Sequence, residues 1–105
     1  MSIAAMDQEL RRINSVTLEV LEAVTGCLSA LPAPGERIVK EEWDTVVFQF
    51  DTAEMKHQHA VSSLSRLVSN LSSGLHCHRT KATELHRLQS TIDGLVAALR
   101  RIVED

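Results

Sequence analysis

Between Trp43 and Val103 an apolar side chain returns alternately four and three residues on, for about sixty residues. The row runs Trp43, Val47, Phe50, Val61, Leu64, Val68, Leu71, Leu75, Ala82, Leu85, Ile92, Val96, Leu99 and Val103, with polar residues at Glu54, His57, His78 and Gln89. A second row, spaced by seven, holds Val46, Ala53, Ala60 and Leu67, then Leu88, Leu95 and Ile102. Together they make a stripe three positions wide in seven, which describes amphipathic helices whose apolar face needs cover. The four polar positions, Glu54, His57, His78 and Gln89, read as a polar layer that fixes register, as buried polar residues do in coiled coils.

Residues 3–31 carry a repeat of their own: Ile3, Met6, Leu10, Ile13, Thr17, Val20, Val24, Cys27 and Leu31. Gly26 interrupts it at a cost of ~1 kcal/mol relative to Ala, and a glycine there often admits a neighbouring helix. Pro32-Ala33-Pro34-Gly35 then stops the helix, because proline cannot continue it and biases the preceding residue toward extended backbone. A turn over 32–37 suits two antiparallel neighbours. Glu41, Glu42 and Asp44 gather at the start of the next helix, where carboxylates meet the positive end of its dipole.

Ser72-Ser73-Gly74 is the ambiguous segment. Three weak helix formers in succession suit a turn, but the repeat passes through without a phase change. Leu75 also offers no apolar contact back to Ser69 or Asn70 of the kind that follows a glycine-terminated helix. The phase favours one long helix over 38–104. The expected fold is therefore all-α, a single domain over 1–105. It is an antiparallel helical hairpin with a long coiled-coil-like second helix, the alternative being a three-helix bundle broken at 72–74. At ~1.5 Å per residue the long helix spans about 90 Å and the first about 45 Å. The first cannot cover the far half of the stripe, so Leu85, Leu88, Ile92, Leu95, Val96, Leu99 and Ile102 are expected to meet a partner, either a second copy or another helical protein. Exchanging Leu95 and Leu99 for glutamate separates the architectures: a long hairpin loses its assembly, whereas a closed bundle loses its fold.

A formal net charge of −3 and an aromatic content of 3% argue against a nucleic-acid binder. No apolar run approaches a membrane span and the first residues lack the layout of a signal peptide, so no membrane insertion and a cytoplasmic location are expected. Cys27 and Cys77 fall in helical patterns as free thiols rather than a disulfide framework. His76-Cys77-His78 resembles a metal site only on paper, since consecutive helical residues point ~100° apart and zinc requires about four convergent ligands. Glu54-x-x-His57 is half of a di-iron carboxylate motif, but no second Glu-x-x-His accompanies it. No phosphate loop, nucleophile elbow or carboxylate pair suggests an enzyme, and no cofactor is implied.

A chain of about a hundred residues with a helical hairpin and Trp43 near the bend resembles the small effectors of type VII secretion systems, which use a Trp-x-Gly turn. Here the sequence reads Trp43-Asp44-Thr45, and there is no Tyr for that family's C-terminal export signal. The resemblance implies a secreted helical-hairpin effector or a secretion chaperone. The residues themselves point to a non-enzymatic assembly subunit, a scaffold joined through coiled-coil-like stripes. A His/Cys metal-binding or pH-responsive helical module, built on His57 and His78, is the other alternative.

Overall fold

The apolar stripes fold into three helices of nearly equal length: α1 (Ile3–Ser29), α2 (Lys40–Val68) and α3 (His76–Glu104). The structure, a computed structural model, describes residues 2–71 and 75–104. Ser2 caps α1, its Oγ accepting the Ala5 N–H at 3.1 Å. The Ala30 N–H closes the other end on the carbonyls of Gly26 and Cys27. The chain reverses through Pro32–Gly35, where Gly35 takes the left-handed conformation, φ +86°. At the start of α2, Val39 offers no side-chain cap, and Glu41 and Glu42 in the first turn offset the helix dipole instead.

Cross-helix contacts fix the directions. Cys27 meets the Val46 carbonyl, Glu19 meets Lys56, and Arg12 meets Ser63, so α1 and α2 are antiparallel. His57 meets Asp93 and Asp51 meets Arg100, so α2 and α3 are antiparallel as well. Asp7 with Lys81, and Thr17 with Gln89, set α3 parallel to α1. The result is an elongated bundle of 54 × 19 × 17 Å.

The expectation of an unbroken second helix is thereby corrected. In one continuous helix His57 and Asp93 would stand ~54 Å apart, whereas here their side chains touch. The α2 helix ends at Val68, and Leu71 tucks into the core. The segment 72–74, where the three-helix alternative places its break, lies outside the described residues. The undisturbed phase misled for a specific reason. Val68 and Leu75, which carry it across the junction, are both about half exposed, at 49% and 48%. Within α2 the buried positions are Val46, Phe50, Ala53, His57, Ala60, Leu64 and Leu67, which draw on both rows, together with Ser63. Within α3 they are His78, Ala82, Leu85, Gln89, Ile92, Val96 and Leu99, the first row alone. A stripe three positions wide accommodates that change of row without showing it.

Folding back is favourable because it buries Leu85, Ile92, Val96 and Leu99 against α1 and α2, each worth ~1.5–3 kcal/mol. Those four residues, expected at a partner interface, therefore belong to the chain's own core. Gly26 does not admit a neighbouring helix: a Cβ there would meet nothing within 4 Å. The Leu95→Glu/Leu99→Glu variant is expected to lose its cooperative thermal transition and most of its helical circular dichroism. Leu99 is 1% exposed, and an unpaired carboxylate at such a site costs several kcal/mol, a large share of a small domain's stability.

Candidate functional site

Two apolar clusters fill the bundle. One gathers Val20, Val24, Cys27, Val46, Phe50, Ala53, Ile92, Val96 and Leu99 near the Pro32–Gly35 end. The other gathers Met6, Leu10, Ile13, Leu64, Leu67, Leu71, Ala82 and Leu85 at the opposite end. Between them each helix places a polar residue on its buried face: Thr17, His57 and Gln89. The Gln89 amide reaches Thr17 Oγ1 at 3.5 Å, while the Thr17 hydroxyl donates to the Ile13 carbonyl at 2.7 Å. The His57 ring directs Nε2 outward to the exposed carboxylate of Asp93. Its Nδ1 reaches no partner among the described residues.

This arrangement sorts the four positions expected to form a polar layer. His57 and Gln89 share the interruption of the core. Glu54 lies on the surface beside it, and His78 is buried far away among the lower residues of α3. Thr17 completes the layer. It is visible in the first heptad as the one polar seam position, but only the bundle shows what faces it. Asp93 and Arg100 had no signal in the pattern, because both lie off the apolar rows.

The three flanks between helices differ in chemistry. Along α1/α2, Lys56 Nζ meets Glu19 at 2.5 Å, and Arg12 meets both Glu9 and Ser63. The Arg12 guanidinium, hydrogen-bonded to Glu9, holds that carboxyl below the usual glutamate range. Along α2/α3, Arg100 meets Asp51 at 3.1 Å and also Glu54, and its guanidinium lies 4.6 Å from the centre of the Phe50 ring. Hydrogen bonding to Glu54, with Asp51 adding to it, raises the arginine's already high pKa. The His57–Asp93 contact belongs to the same flank.

The α1/α3 flank differs. Among the described residues its one cross-helix ion pair is Lys81–Asp7, at 3.8 Å, near the start of both helices. A groove lined by Leu10, Arg11, Asn14, Glu84 and Leu88 follows. Beyond it the flank turns apolar: Leu18, Leu28 and Ile102 are exposed at 49%, 37% and 43%, and Leu21, Leu88 and Leu95 are half-buried between them. Of the seven residues expected to meet a partner, Leu88, Leu95 and Ile102 line this open flank. Leu85, Ile92, Val96 and Leu99 lie beneath it.

The histidines and cysteines do not converge. His76 and Cys77 are exposed while His78 is buried, and no group of three or more His, Cys, Asp or Glu among the described residues is placed to hold a metal ion. Nor is any described helix long and apolar enough to cross a membrane. Cys27 is buried and its thiol is pushed above the usual range by desolvation, whereas Cys77 is exposed. Comparison with known protein families, curated proteins and solved structures finds no match for this chain. The bend itself departs from the Trp-x-Gly layout of the type VII effectors, since Trp43 stands inside the first turns of α2, after the reversal.

Two measurements follow from this geometry. A thiol reagent applied to the native chain should label one cysteine, Cys77, with Cys27 reacting only on unfolding. Equal labelling of both would mean that the α1/α2 core is open. Replacing Thr17 with Val and Gln89 with Leu together should leave the midpoint of chemical denaturation unchanged or raised, because both ends of a buried polar contact are removed. Gln89→Ala alone should cost ~1–3 kcal/mol through the cavity and the lost contact.

Proposed function

We propose that this protein is a non-enzymatic helical interaction subunit that receives an amphipathic helix from a second chain along its α1/α3 flank. The observation that carries the reading is the contrast among the flanks. The α2/α3 flank is laced by charged contacts and the α1/α2 flank carries Lys56–Glu19 and Arg12–Ser63, whereas the α1/α3 flank has its one ion pair among the described residues at one end and beyond it exposes Leu18, Leu28 and Ile102.

The spacing suits a helix as occupant. Leu88, Leu95 and Ile102 recur every seven residues on one wall, as do Leu21 and Leu28 on the other, and a groove between two helices takes a third by the same side-chain interdigitation that builds the bundle. The apolar walls supply affinity through burial, while Arg11, Lys81 and Glu84 at one end supply polarity of direction. The occupant is a second copy or a different helical protein, and one pair of experiments tells them apart.

Leu18→Glu/Ile102→Glu places charge on the flank at two exposed positions and should leave helical content and Tm close to those of the parent. Sedimentation equilibrium from micromolar to near-millimolar concentration, and co-purification with a tagged chain from the native source, would each be run on both proteins. A defined assembly that the variant loses is the expected result. A chain that stays monomeric throughout and captures the same proteins with or without the two glutamates would overturn the reading.

A further inference from the structure

The α1/α2 flank holds a feature that the proposed function does not use. Near the Pro32–Gly35 end, a groove of about 520 Å³ opens between the two helices, with Ala23, Gly26, Gln49 and Thr52 along its length and Phe48 at its edge. Phe48 is 72% exposed, more than any other large apolar side chain among the described residues. Gly26 sits in the last turn of α1, where its carbonyl accepts the Ala30 N–H, with open space where a Cβ would stand.

The groove's unpaired charge is acidic. Glu19, Glu22 and Lys56 line it, and Lys56 answers Glu19. Glu22, Glu41 and Glu42 have no ion pair among the described residues. By helical phase Glu41 and Glu42 lie two turns before Phe48 and Gln49, so they extend the same edge of the groove toward the Pro32–Gly35 turn. Glu41 and Glu42 also offset the dipole of α2, but Glu22, in the interior of α1, has no such role.

We propose that this groove is a second docking site, for a basic amphipathic peptide helix whose apolar stripe lies between Phe48 and the open floor at Gly26 and whose Lys or Arg side chains meet Glu22, Glu41 and Glu42. An exposed aromatic edge supplies the apolar anchor. The unanswered carboxylates select the sign of the partner and disfavour an acidic helix of the same shape. The site is independent of the α1/α3 flank, on a different pair of helix faces.

Fluorescence anisotropy with two labelled peptides tests it, one an amphipathic helix of Leu and Lys and the other the same helix with Glu in place of Lys. The expected result is binding of the basic peptide at least about tenfold tighter than the acidic one, weakening as salt rises. Gly26→Leu fills the floor and should retain full helical content, because its side chain enters open space. It and Phe48→Ala should each weaken the basic peptide about tenfold. No binding of the basic peptide, equal binding of the acidic one, or undiminished binding by a folded Gly26→Leu chain would each overturn the proposal.

Discussion

Burial of the α3 stripe is the constraint on which the rest of this structure depends. Two helices of about 27 residues leave the inner faces of both half covered, and the third completes the enclosure. Each of the three supplies apolar residues to the cluster near the Pro32–Gly35 end, and each supplies them to the one at the opposite end. Removing α3 would expose both clusters at once. The bundle is therefore one cooperative unit rather than a hairpin with an appendage, and its surface is what remains after three stripes have been turned inward.

The polar layer at Thr17, His57 and Gln89 acts on that arrangement through register. A one-turn slip of any helix would carry its polar residue into an apolar cluster and bring an aliphatic one against the other two, leaving buried polar groups without partners. His57 adds a second restraint, since its Nε2 can reach Asp93 only when α2 and α3 stand at this height. Arg100, bridging to Asp51 and Glu54 while lying over Phe50, repeats the restraint two turns away. These contacts are modest in energy where they are exposed to water, but they are directional. Apolar packing alone holds helices together without choosing among registers.

With the interior settled, the outward faces carry the functional argument. The α2/α3 flank is closed by charge, the α1/α3 flank is open and aliphatic, and the α1/α2 flank is closed over its middle but opens into a groove beside Gly26 and Phe48 whose unpaired charge is acidic. The two docking faces proposed above would equip a small bundle to bring two helices together. Among the described residues no group of three or more His, Cys, Asp or Glu is placed to hold a metal ion, Cys77 is exposed and Cys27 is sealed.

The sequence by itself determined that the chain is all-helical, where α1 ends and α2 begins to within two residues, and that His57 and Gln89 lie inward. These follow from local causes: a repeat of three and four, a Pro-Ala-Pro-Gly stop, and the positions of residues on that repeat. It did not determine whether the stripe continues or doubles back after Val68, because a face three positions wide in seven keeps its phase through a reversal. Only the tertiary structure decided that α3 returns along α1 and α2. That return sends Leu85, Ile92, Val96 and Leu99 into the core, leaves Leu88, Leu95 and Ile102 at the surface, and assigns Asp93 and Arg100 their partners on α2. Which apolar residues face solvent depends on what stands opposite each helix, and contacts between residues 36 or more apart in the chain leave no trace in a pattern that repeats every seven.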